Sequence, residues 1–101
     1  MSIRLIDTEA SVGGTSLVGY IKTNYNDLVE VFGEPRYTSS GDDKVTAEWN
    51  LEFLVDDEYV TATIYDWKLG HTPYRTYDWH IGGFSAEAAD AVSQFMKEAN
   101  A

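Results

Sequence analysis

The chain contains no cysteine. Disulfides, thiolate metal sites and cysteine nucleophiles are therefore excluded, and nothing marks a redox compartment. Basic residues are scarce: seven Lys and Arg stand against seventeen Asp and Glu, a formal charge of −10. Direct binding to DNA or RNA is disfavoured, because neutralising phosphates needs a basic footprint. No stretch approaches the ~18 apolar residues of a membrane span. The first residues carry Asp7 where a signal peptide would need an apolar run, so the expected compartment is the cytoplasm. No GxSxG, P-loop, HExxH or GxGxxG occurs. There is no repeat, linker or low-complexity tract.

What is present is enough for one core. Hydrophobic residues make up 44% of the 101, far above disordered chains, so the expectation is a single folded domain spanning 1–101. Residues 1–15 are weakly patterned and read as a short strand or an arm ending in Gly13-Gly14. Residues 16–23 read as a strand. Asn24 is placed to cap a helix carrying Leu28, Val29 and Phe32, which Gly33 should end in the left-handed conformation before Pro35.

Residues 44–54 alternate, with Val45, Ala47, Trp49, Leu51 and Phe53 on one face and Thr46, Glu48, Asn50 and Glu52 on the other. Asp56-Asp57-Glu58 supplies a turn into an antiparallel strand over 59–68. There Val60, Ala62 and Ile64 oppose Tyr59, Thr61, Thr63, Tyr65 and Trp67. A loop over 70–75 leads to a last strand over 76–81, which Gly82-Gly83 breaks. Ser85 then caps a helix with Ala89, Val92, Phe95, Met96 and Ala99 at helical spacing. The order β-α-β-β-β-α predicts an α+β fold: an antiparallel sheet of about four strands, its helices on one face and its other face open.

Residues 65–84 hold six of the fourteen aromatics and both histidines, with Lys68 and Arg75 balancing Asp66 and Asp78. The segment is formally neutral, so the rest of the chain carries the whole −10. Flat rings stack on bases and cations pair with phosphates. The candidate ligand-binding residues are therefore Tyr65, Trp67, Lys68, His71, Tyr74, Arg75, Trp79, His80, Gly82 and Gly83. Ordinary packing competes with this reading. Trp49 and Trp79 favour the core by their alternation, whereas Tyr65 and Trp67 favour the open face. Gly82-Gly83 can offer converging backbone N–H groups to an anion at the helix start, but a tight strand-to-helix connection explains them at least as well. Gly13-Gly14-Thr15-Ser16 is a weaker version of the same idea. His71, His80 and Asp78 lack metal-site spacing, so neither a metal nor a cofactor is expected.

The segments GYIKTNYNDLVEVFGEP, VTAEWNLEF, TATIYDWK and YDWHIGGFS resemble a family of small phage proteins, over about Ser16 to Ser85. TIYDWK and WHIGG carry the resemblance; the helix ending in Gly-x-Pro is generic. The resemblance implies a phage product acting in the cytoplasm of an infected bacterium, and by analogy an anti-defence factor. Two partners follow. The first is a small nucleotide-type signal, sequestered without cleavage by the 65–84 cluster; the small size of the chain leaves room for a homo-oligomer. The second is a host defence protein, a nuclease or CRISPR complex, met by a nucleic-acid-mimicking acidic surface. Glu48, Glu52, Asp56, Asp57 and Glu58 would supply it, with Asp42 and Asp43 beside them. Strand carboxylates two residues apart lie ~6.6 Å from each other, close to a phosphate spacing. A minor third reading, an enzyme degrading such a signal, would rest on His80 or His71 as general base.

Overall fold

The computed structural model describes residues 2–37, 45–67, 69 and 71–99. Its elements run β1 (Ile3–Asp7), β2 (Ser16–Thr23), α1 (Tyr25–Phe32), β3 (Arg36–Tyr37), β4 (Ala47–Val55), β5 (Glu58–Tyr65), β6 (Tyr77–Gly83) and α2 (Glu87–Ala99). One antiparallel sheet orders them β1-β4-β5-β6-β2, with β3 also paired to β4. The α+β class is as expected. The sheet is wider than four strands because β1 and the two-residue β3 both add to the outer side of β4. Among the described residues no helix is long and apolar enough to cross a membrane.

Alternation fixes which side of each strand is buried. Trp49, Leu51 and Phe53 of β4 lie opposite Ile64, Ala62 and Val60 of β5, and Trp79 and Ile81 of β6 continue the same face. Both helices cover it. From α1, Tyr25, Leu28 and Phe32 are buried, and from α2 Ala88, Ala91, Val92 and Met96. Phe32 stacks on Phe95 at 5.7 Å and meets Phe53 edge-on at 6.2 Å, which joins the two helices to the sheet. The Trp49 indole N–H donates to the Gly33 carbonyl at 2.8 Å, so the end of α1 is pinned to β4.

The helix ends follow their local chemistry. Asn24 accepts from the Asp27 N–H at 2.8 Å, and the Gly33 N–H closes α1 on Val29. Gly33 does have positive φ, but its pair of φ 86° and ψ −171° is the extended mirror region rather than the left-handed helical one. Only glycine enters that region without strain. The chain leaves α1 extended, straight into β3. Ser85 accepts from the Glu87 N–H at 3.3 Å as α2 begins.

Two further expectations change at the turn after β4 and at the end of β6. The β4–β5 turn is only Asp56-Asp57, both at positive φ (47° and 72°), with Val55 already paired to Glu58. That is the two-residue hairpin geometry matching strand twist. Gly82 and Gly83, in turn, do not break β6 but belong to it. A Cβ on Gly83 would stand 2.3 Å from the Ala88 Cβ, and one on Gly19 2.8 Å from the Ala89 Cβ. The missing side chains let α2 lie close against β6 and β2.

The opposite face is not simply open. β1 and β2 lie at opposite edges, four strand spacings or ~19 Å apart. Residues 8–15, which can span at most ~26 Å, must join them across a face, and the helices occupy the other one. This strap first follows β4, where the Ala10 N–H donates to the Asn50 carbonyl at 3.2 Å. It then turns at Gly13-Gly14, with Gly14 at φ 85°. Asn50 and Thr63 become buried on what the alternation alone marks as a solvent face.

Candidate ligand-binding site

The strap divides the helix-free face, and one half collects aromatic rings. Register places Tyr20 of β2 opposite His80 of β6, and His80 opposite Tyr65 of β5. Trp67 follows just beyond β5. The rings of Tyr20, Tyr65, Tyr77 and Trp67 surround the His80 imidazole at centroid distances of 4.9, 5.4, 6.3 and 6.4 Å. The Tyr77 hydroxyl accepts from the Trp67 backbone N–H at 3.3 Å and lies 3.4 Å from His80 Nδ1. Tyr20 is 55% and Trp67 38% exposed, so ring surface is open to a ligand here.

Burial holds the His80 imidazole below its ordinary pKa, with the Asp66 carboxylate pulling the other way. It is neutral at pH 7, so a planar ligand meets no imidazolium. Desolvation raises the Tyr65 and Tyr77 phenols, and negative neighbours add to both. His80, Tyr65 and Tyr77 are thus each biased to the uncharged form.

Beside the rings, under the strap, is a hollow of about 280 Å³ lined by Val12, Thr15, Ser16, Val45, Glu48, Thr63, Tyr65, Trp67 and Gly82. Its floor is polar and ordered. The buried Thr63 hydroxyl donates to Asn50 Oδ1 at 3.1 Å, and Asn50 Nδ2 donates to Glu48 Oε2 at 3.0 Å. Gly82 is required here: a Cβ would stand 2.7 Å from Thr63 Cγ2. A second hollow, about 450 Å³, follows the 69–77 loop and is lined by Leu69, His71, Thr72, Pro73, Tyr74, Arg75, Thr76 and Tyr77. Tyr77 bounds it on one side and touches the ring cluster on the other.

Asp66 anchors this loop region. Fully buried, its carboxylate accepts from the Thr46 N–H (2.8 Å), the Thr46 hydroxyl (2.6 Å) and the Ala47 N–H (3.0 Å). Thr46 in turn shares a 2.8 Å hydrogen bond with Thr72. The carboxylate fixes where β5 ends and thereby where Trp67 projects.

The ten sequence-derived candidates therefore separate. Tyr65, Trp67 and His80 come together with Gly82 at the strap, and His71, Tyr74 and Arg75 line the loop hollow. Trp79 is fully buried, edge-on to Trp49 at 5.4 Å. Among the described residues its indole N–H has no hydrogen-bond partner. The ring serves the core and is closed to a surface ligand. Gly82 and Gly83 pair on both sides, with Thr63 and Ala62 of β5 and with Leu17 and Ser16 of β2. Their backbone is engaged in the sheet, so they act through the space they leave rather than as an anion nest. Lys68 lies outside the described residues, as do Asp42 and Asp43. Tyr20 and the Thr63–Asn50–Glu48 relay escaped the sequence reading, and Thr15 entered it only within the weaker Gly13-Gly14-Thr15-Ser16 candidate. Tyr20 belongs to a distant strand, and only the register of β2 on β6 brings it to His80.

Among the described residues no group of His, Asp and Glu is arranged to hold a metal ion. The chain matches no protein-family profile, no curated protein and no solved structure. What the arrangement offers chemically is an uncharged aromatic surface beside a small hollow with one fixed carboxylate.

Proposed function

We propose that the protein is a non-catalytic binding protein that sequesters a small nucleotide-type ligand, as an anti-defence factor of a phage in the cytoplasm of its bacterial host. The observation that carries this reading is the cluster of Tyr20, Tyr65, Trp67 and Tyr77 around a neutral His80, exposed beside a hollow. Base–aromatic stacking is worth ~1–3 kcal/mol per base. The Tyr65 and Trp67 rings stand 74° apart, so a base can lie flat on one and meet the other at its edge. Arg75 and His71, in the adjoining loop hollow, are the groups available to a phosphate. Isothermal titration against linear and cyclic nucleotides tests the proposal. Heat with at least one of them, reduced in Trp67→Ala, is the expected result; no heat with any overturns it.

A second reading has an observation of its own. Between the β4–β5 hairpin and the start of α2 lies a hollow of about 340 Å³, lined by Asp56, Glu58, Glu87 and Asp90 with Val55 and Ala91. Four carboxylates around two apolar side chains suit a basic protein surface, as in an acidic decoy of a nuclease. A salt-sensitive protein partner in a bacterial lysate, lost in Glu58→Lys, would favour this reading over the first.

A further inference from the structure

Resting on the nucleotide-binding reading, we infer that the hollow under the strap selects guanine among the bases, with the Glu48 carboxylate reading its Watson–Crick edge. Three features of the hollow lead there. At about 280 Å³ it takes one ring system, not a whole dinucleotide. Its walls are the Tyr65 and Trp67 rings with Val12 and Val45, which suit a flat apolar face. Among the described residues its sole charged lining residue is Glu48, so these walls repel the phosphates of a nucleotide and favour entry of the base instead.

Glu48 is not a loose surface acid. Asn50, 2% exposed, donates to its Oε2, and Thr63, 4% exposed, fixes Asn50 in turn. A carboxylate has about four lone-pair sites, and this relay uses one of them. The remaining sites are acceptors only. Guanine alone among the common bases presents two adjacent donors on one edge, N1–H and the N2 amine, to match two carboxylate oxygens. Adenine and cytosine each place a ring-nitrogen acceptor next to their amine, which meets the carboxylate lone pair to lone pair. Uracil flanks its N3–H with two carbonyl oxygens and is repelled on both sides. Hydrogen bonds to a charged group are among the stronger ones, so losing one lowers affinity about ten- to a hundredfold.

Titration of the full chain with guanosine, inosine, adenosine, cytidine and uridine tests the inference. Guanosine is expected to bind at least tenfold more tightly than inosine, which lacks only the N2 amine, and more tightly still than the other three. Glu48→Gln, checked by thermal melt to be folded, should erase the guanosine preference. Adenosine, cytidine or uridine binding as well as guanosine overturns the inference while leaving the stacking reading intact, as does a folded Glu48→Gln with an unchanged order. If Glu48→Gln does not fold, the guanosine-to-inosine ratio of the unaltered chain decides alone. Binding of no nucleoside, together with no heat from any nucleotide, overturns the parent reading as well.

Discussion

Trp49 and Trp67 sit eighteen positions apart and answer to different physics. Trp49 is 2% exposed, wedged between Tyr25 and Trp79, and its N–H closes on Gly33. Trp49→Ala should cost about 3–5 kcal/mol of stability, as large-to-small core changes do. Trp67→Ala keeps the backbone N–H that donates to Tyr77 and should leave the melt nearly unchanged. It should nevertheless weaken nucleotide binding by ~1–3 kcal/mol. Melts and titrations on the two variants check this; a Trp67→Ala chain that unfolds would place that ring in the scaffold instead. His80 supplies a pH signature. Its folded pKa is depressed by burial, so the folded chain holds fewer protons than the unfolded one. The stability it contributes is full above the ordinary imidazole value of about 6.5. It is lost as pH falls through the lower, folded value. His80→Asn should therefore flatten part of the fall in melting temperature between about pH 7 and pH 5. Parallel melts across that range would show a constant offset instead if the imidazole were unperturbed.

At the scale of elements, the docking of α2 depends on atoms that are absent. Gly83→Ala places a methyl group 2.3 Å from the Ala88 Cβ, and neither backbone can yield without moving the helix or the strand. The expected loss is about 1–3 kcal/mol, the usual range for overpacking. Gly13→Ala is the control, since a Cβ there meets nothing within 4 Å. Denaturant melts of the two variants should differ by about that amount, and equal midpoints would refute the close-approach account. The pair Gly82-Gly83 illustrates how far local rules reach. A double glycine at a strand end predicts a break, because glycine costs conformational entropy in a strand. Here sheet pairing on both sides of β6 and the approach of α2 outweigh that cost.

For the whole molecule, a charge of −10 on 101 residues works against compactness. Described acidic residues gather at the hairpin tip and the start of α2, where Asp56, Glu58, Glu87 and Asp90 share one hollow. Added neutral salt should raise the melting temperature up to about 0.15 M, where screening extends over ~8 Å. A melting temperature that falls over this range would indicate that attractive pairs, not self-repulsion, dominate. The outer part of the ring cluster, Tyr20, Tyr65 and Trp67 beside His80, lies on the helix-free face, while Tyr77 also packs edge-on against the core ring Trp79. Changes that empty the outer part should therefore affect binding far more than folding.

The strand at 16–23, the capped helix after Asn24 and the alternation of β4 and β5 were legible in the sequence, as was the α2 stripe in part: Val92 and Met96 are buried, but Ala88 and Ala91 replace Ala99, which is exposed. Each depends on neighbours within a few residues: a cap, a period of two, a period near 3.6. The core positions of Trp49 and Trp79 and the outward register of Tyr65 followed from the same periodicities, whereas the strand expected over 59–68 ends at Tyr65 and the buried Asp66 carboxylate sets where Trp67 lies. β1 escaped a firm assignment because only Ile3 and Leu5 of its five residues are half-buried, and it gains its order from pairing with β4, about fifty positions away. The tertiary structure alone decided that β1 and β2 occupy opposite edges. From that placement came the strap, the burial of Asn50 and Thr63 on a nominal solvent face, and the meeting of Tyr20 with His80. Composition had marked residues 65–84 as unusual, but a one-dimensional window cannot show that Trp79 is enclosed while Tyr20 and Glu48 stand at the site. Strand order is set by the lowest-energy closure of the whole sheet, and no local pattern along the chain encodes it.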